Sequence, residues 1–280
     1  MSGRLVVCPT PIGNLEDITL RVLSALRDAD VVACEDTRRT RVLLDRYGVS
    51  ASLVSYHEHN EEQRAAELVE RMRKGETVAL VSDAGMPLVS DPGFVLVRAC
   101  VAAGLEVEVL PGPSAAIAAL VASALPSDSW RFAGFLPRKR AELERVLSEP
   151  GGTLVAFESP RRLPATLAVL AELDPEREAA VCRELTKVHE EVVRGTAAEL
   201  ADRYRDRPPK GEVVLVVAPA RRPAPDAPDP AAVDALARLV EAGAKPRAAA
   251  SVVADLTGGS ANALYRALQE RQEAGEGDGA

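Results

Sequence analysis

The stretch SDAGMPLVSDPG, Ser82 to Gly93, directly follows the apolar run TVALV, Thr77 to Val81. A short apolar run ended by Ser, Gly and Pro reads as a buried strand, and the loop after it should feed a helix. The loop holds two Ser-Asp pairs, a Gly and a Pro-Gly, but no lysine or arginine. A phosphate site at a strand end offers glycine amides and a cation. This loop offers carboxylates and carbonyls, so its expected guest is cationic or hydroxylated.

The same rhythm of β-rich run, Gly/Pro/Ser/Asp loop and helical pattern surrounds this loop. RLVVC leads to a helix from about Ile18, DVVAC leads into TRRTRVLLDRYG, LVS precedes HNEEQRAAELVERMRKG, and EVEVL precedes PGPSAAIAALVASAL. Alternating strands and helices predict a mainly parallel, sandwiched sheet with ligands at the carboxyl ends of its strands. From about Arg138 the spacing changes, and EEVVRG so soon after VCREL predicts an antiparallel neighbour. The expected organisation is an N-terminal α/β domain over 1–136 and a second α/β domain over 137–219. A proline-rich linker over 220–232, a small helical unit over 233–273 and a disordered polar tail over 274–280 follow. Within the helical unit, Gly258-Gly259 marks the turn of a helix-turn-helix-like pair.

Charge and cysteines narrow the function. The 280 residues carry a net charge of -8 with 3% aromatics, which argues against indiscriminate binding to nucleic acid or anionic membranes. Cys8, Cys34, Cys100 and Cys182 stand far apart, without C-x-x-C or a neighbouring His pair, so neither zinc nor disulfides are expected. No long apolar segment or signal-type segment is visible, and a cytoplasmic location is expected. The first loop, CPTPIGNLEDIT, lacks G-x-G-x-x-G, which disfavours a dinucleotide site. Ser114 is expected to cap a helix of small residues. Asp91-Pro92-Gly93 reads as a helix start, with Asp91 as cap and Pro92 at the first position.

Nine segments together carry a resemblance: PTPIGNLEDIT, ACEDTRRTRVLL, HEHNE, SDAGMPLVSDPG, PGPSA, FAGFLPRK, ESPRRL, CRELTKVHEE and KGEVVLVV, running from Pro9 to Val217. The chain resembles the tetrapyrrole methylase superfamily, and within it the branch that methylates RNA rather than a tetrapyrrole. That likeness implies two α/β domains with S-adenosylmethionine folded between them. It implies 2′-O-methylation of a cytidine in the decoding region of 16S rRNA, on free RNA or the small ribosomal subunit, and a homodimer. It also assigns Pro11, Asp83, Ala84, Gly85, Met86, Val89, Ser114, Ala115 and Glu158 to the cofactor pocket. A tetrapyrrole methyltransferase of the same fold is the alternative.

Methyl transfer to a ribose hydroxyl needs alignment and a proton acceptor but no metal. Candidates at strand ends are Glu35 and Asp36, His57, and the group Arg183, Glu184, Lys187, His189 and Glu190; His57 and His59 are not separable. Arg183 and Glu184 read equally as a structural ion pair, and Lys187 as a surface partner of Glu184 or Glu191. Arg38, Arg39, Lys139 and Arg161 form a candidate RNA rim, and Tyr265 with Arg266 a second contact on the terminal unit. Helix-surface pairing, such as Arg41 with Asp45, competes for some of these cations.

Overall fold

The computed structural model describes residues 3–220 and 228–277, and the chain divides into two units, Met1–Ala220 and Arg221–Ala280. In the first unit, β1 (Arg4–Val7), β2 (Val31–Cys34), β3 (Leu53–Ser55), β4 (Val78–Val81) and β5 (Glu106–Val109) form one parallel sheet in the order β3-β2-β4-β1-β5. The helices α1 (Leu20–Asp28) and α2 (Thr37–Arg46) cover one face, and α3 (Glu61–Arg73) and α4 (Phe94–Ala102) the other. Strand side chains alternate accordingly. Val6, Val32 and Ala79 join the α1–α2 core, whereas Leu5, Val31 and Val78 join the α3–α4 core.

Strands β1 and β4 are neighbours, but the chain leaves them in opposite directions, β1 toward β2 and β4 toward β5. Their loops therefore diverge and open a crevice at the carboxyl edge. A two-way backbone bridge between Thr10 and Gly85 joins these loops, with N–H donated each way over 2.9 Å. The Thr10 hydroxyl adds a bond to the Ser82 carbonyl at 3.0 Å.

A second sheet follows, ordered β6-β7-β10-β8-β9 and built from β6 (Trp130–Phe135), β7 (Thr153–Glu158), β8 (Glu178–Arg183), β9 (Glu191–Thr196) and β10 (Val213–Val217). Only β6 and β7 are parallel; β8 and β9 form the expected antiparallel pair. One face packs on α6 (Arg140–Ser148), α7 (Leu163–Leu173) and α8 (Ala197–Tyr204). The other packs on α5 (Ala115–Ser123), whose Ala116, Ala119 and Leu120 meet Val155, Ala180, Cys182 and Val216.

The second unit is a three-helix cluster of α9 (Pro230–Glu241), α10 (Pro246–Thr257) and α11 (Ala261–Gly277), cored by Leu236, Val253, Leu264 and Leu268. Pro230 and Pro246 open their helices, where the missing N–H costs nothing, and Gly258 ends α10 in the left-handed region. Most of the proline-rich linker lies outside the described residues, as do the last three of the chain. The α11 helix runs four residues into the segment that composition marks as a polar tail.

Two local expectations are corrected. Helix α4 begins at Phe94, with Gly93 at its N-cap, so Asp91 is not the cap and Pro92 is not the first helical residue. Leu88 and Ser90 already take positive φ, and Gly93 sits at φ 141, where a Cβ would lie 2.7 Å from Leu88 Cδ1. The loop is coiled too tightly for the helix to start earlier. Ser114 does occupy the N-cap of α5, but its side chain makes no capping bond.

Candidate active site

Two adjoining cavities open at the carboxyl edge of the first sheet. The first, about 320 Å³, lies between the β4 loop, the start of α5 and the second sheet. Of the residues assigned by resemblance to the cofactor pocket, Ala84, Gly85, Met86, Val89, Ser114, Ala115 and Glu158 line it, together with Ile12, Asp91, Phe135, Phe157 and Glu212. Its size falls in the range of small-molecule sites. Among the described residues no lysine or arginine lines it, and the polar groups are carboxylates, hydroxyls and backbone. Such a wall favours a cation with a ribose and a base, and Phe135 and Phe157 add flat apolar surface. S-adenosylmethionine fits this donor set.

Glu158 is buried, accepting from Thr166 Oγ1 and Ser159 N, both at 2.6 Å, with Arg162 3.3 Å away. Gly85 stands at φ 82, which only glycine adopts without strain. Burial pushes the Asp91 carboxyl up to about 7, with the negative charges of Glu35 and Asp83 adding to the shift.

The second cavity, about 360 Å³, shares Ile12, Ala84 and Glu212 with the first and adds Pro11, Gly13, Arg39, Asp83 and Lys187. Pro11 and Asp83 thus sit one compartment away from the rest of the expected cofactor set. Asp83 accepts from the Asp36 amide at 3.0 Å and pairs with Arg39 at 3.3 Å, tying β4 to the start of α2. Lys187 pairs with Glu184 at 2.9 Å and Glu212 at 3.1 Å. Burial would lower its ammonium, but these two carboxylates outweigh it and the net shift is upward. Glu184 is held below the usual carboxylate range by the Glu212 amide and by Lys187. Its φ of 50, like 64 at Thr186, marks a strained turn. This turn sits against the first loop, where Asn14 N donates to Thr186 Oγ1 at 3.0 Å and a Cβ on Gly13 would lie 2.5 Å from Lys187 Cγ.

The remaining candidates lie elsewhere. Asp36 caps α2 and pairs with Arg38 at 2.8 Å, which holds its carboxyl far below the usual range and leaves a poor base. His57 follows the edge strand β3, its backbone N–H bonded to Asn60 Oδ1, and lines neither cavity. Arg183 is turned to the α8 side of the second sheet, since its neighbour Cys182 faces α5 and alternation puts it on the other face. It pairs there with Glu191 at 3.2 Å. Lys139 is exposed and pairs with Glu142, Arg161 is exposed, and no ion pair joins Arg41 to Asp45. Arg162 bonds the Leu136 and Pro137 carbonyls and is structural. On the helical unit Tyr265 is half-buried beneath Arg247, 5.4 Å from its ring centroid, and Arg266 is exposed. Glu212, Asp91, Ile12 and the two Phe rings escaped the sequence reading. Glu212 does stand in KGEVVLVV, where a carboxylate opening an otherwise apolar strand is a readable signal.

The family described as Tetrapyrrole (Corrin/Porphyrin) Methylases matches residues 4–201. The chain belongs to the tetrapyrrole methylase family. Among curated members of this methylase family, a ribosomal RNA small subunit methyltransferase I from Mesorhizobium japonicum is 50% identical over 98% of this chain and 95% of its own length. One of the same name from Thermotoga maritima is 44% identical over 217 residues, 77% of this chain and 98% of its own. Among solved methylases, a uroporphyrin-III-C-methyltransferase from Thermus thermophilus superposes with a TM-score of 0.56 at 25% identity, covering 76% of this chain and 94% of that one.

Proposed function

We propose that the chain methylates small-subunit ribosomal RNA from S-adenosylmethionine, at the ribose 2′-hydroxyl of a cytidine in the decoding region of 16S rRNA. The observation that carries this reading is the pairing of a cation-free cavity with one holding Arg39 and Lys187 across a shared wall of Ile12, Ala84 and Glu212. Bound S-adenosylmethionine supplies an activated methyl group on a sulfonium, open to in-line displacement by a hydroxyl. Gly85, Met86, Ser114 and Ala115 hold it, with Asp91 as anionic wall, while the Glu158 carboxylate, buried against Thr166 and Arg162, braces the end of β7 from the opposite face. Lys187 stays protonated and neutralises charge developing on the ribose oxygen. Glu212, exposed and bonded among the described residues to no cation but Lys187, accepts the hydroxyl proton and passes it to water. Arg39 meets the neighbouring phosphate.

A homodimer in the cytoplasm completes the reading. Phe94 and Val101 on α4, Val109 on β5 and Val121 on α5 are all more than half exposed, an apolar surface suited to a second copy. All four cysteines are free and buried, and no helix among the described residues is long and apolar enough to cross a membrane. The deciding experiment is mass-spectrometric mapping of rRNA nucleosides in cells lacking this protein, with methyl transfer in vitro to deproteinised rRNA, small subunits and a precorrin. Loss of one 2′-O-methylcytidine is expected; transfer to the precorrin alone would overturn the proposal.

A further inference from the structure

On the α8 side of the second sheet, away from both cavities, lies a third of about 590 Å³ lined by Arg183, Glu191, Arg203, Tyr204, Arg207, Pro209 and Lys210. Four cations thus meet around one carboxylate in a chain whose net charge is -8. Glu191 is shared between Arg183 and Arg203, each at 3.2 Å. Arg207 and Lys210 have no ion-pair partner among the described residues, and nearby Asp202 is taken by Arg205. Pro208 and Pro209 stiffen the loop between these two free cations, so less backbone freedom remains to be lost when an anion arrives. The Tyr204 hydroxyl is buried with no hydrogen-bond partner, and Arg203 stands over its ring 5.9 Å from the centroid, outside bonding geometry.

We infer that this cavity seats a phosphodiester of the RNA substrate, as an anchor beside the methyl-transfer cleft. Guanidinium forks match phosphate oxygens, and exposed cations at the rim suit a passing backbone better than an enclosed small ligand. The place is close to the chemistry. Arg183 adjoins Glu184 and Lys210 lies two residues before Glu212; Glu184 N donates to the Glu212 carbonyl at 3.0 Å and Glu212 N to Glu184 Oε1 at 2.9 Å. The Glu184–Glu212 edge of the sheet thus links this cavity to the one that holds Lys187, and a strand gripped here would cross that edge to reach it.

The inference rests on the RNA reading, and its test separates the two. RNA affinity of the full chain for a small-subunit rRNA fragment is measured against salt for wild type, R203A/R207A/K210A, and R203K/R207K, with cofactor binding by calorimetry and wild-type methyl transfer alongside. The triple variant is expected to fold, since all three side chains are exposed, and to bind cofactor as wild type does. Its log-log salt slope should fall by about 0.7 to 0.9 per lost phosphate contact, while the lysine variant keeps its slope. Inorganic phosphate at constant ionic strength should compete with RNA for wild type and less for the triple variant. An unchanged slope, or equal competition in both, overturns the anchor. Failure of wild type to methylate any rRNA overturns the function instead.

Discussion

Asp91 faces a cation site with a carboxyl that titrates near neutrality, and a pH dependence follows. Its folded value of about 7 lies above the ordinary 3.8. The folded, ligand-free protein therefore holds this proton more tightly than the unfolded chain. The resulting stability is present below about pH 4 and is lost as pH rises through about 7. A sulfonium in the cavity favours the ionised form and expels the proton. Cofactor affinity should therefore rise with pH up to about 7, by at most tenfold per unit. Calorimetry from pH 5.5 to 8.5 checks this: the wild-type curve should bend near 7 and that of D91N should be flat. Lys187 calls for a different measurement. K187A should lose about 10- to 1,000-fold in single-turnover rate at saturating RNA while binding cofactor almost normally. A wild-type rate would reduce Lys187 to a strut between Glu184 and Glu212.

Among the elements, the Gly13 loop and the strained turn after β8 act as one piece. A methyl group at Gly13 would meet Lys187 Cγ, Thr186 Oγ1 at 2.7 Å and the Leu185 carbonyl at 2.9 Å, the last of which cannot swing aside. G13A should cost about 1 to 3 kcal/mol of stability and also displace Lys187. Thermal unfolding and single-turnover rate should fall together; a stable variant with a normal rate would show the two loops to be independent. The strands and their order of appearance were legible because apolar runs and Gly/Pro loops alternate so regularly. The turn before α4 was not, because Leu88 and Ser90 carry no residue-type signal for positive φ and Asp-Pro-Gly imitates a cap. Arg183 shows another limit. Its neighbour Glu184 reaches Lys187 on the cleft side, but a strand turns consecutive side chains to opposite faces, and which face holds the cofactor depends on how α5 packs. Asp83 was expected in the cofactor pocket from its place at a strand end, but it lines the second cavity, and its partners, the Asp36 amide and Arg39, come from another βα unit that only the folded sheet brings alongside.

For the whole molecule, the three-helix unit has its own core, and the first unit contains every residue that lines the two adjoining cavities. The Thermotoga relative is matched over nearly its full length by 217 residues, close to the length of that first unit. A chain ending at Ala220 should therefore fold, bind cofactor with unchanged affinity and retain methyl transfer, with any loss confined to RNA affinity. Calorimetry and transfer at rising RNA concentration check this; loss of cofactor binding would make the helical unit part of the site. Helix α5 has a consequence of its own. By sequence it closes the first half of the chain, yet its buried face is spent on the second sheet. Cutting the backbone between Ala124 and Trp130 would leave two fragments joined by a ready-made apolar joint. Co-expressed halves should find each other without a tether, so this enzyme offers a natural break point for a split reporter whose signal depends on cofactor binding.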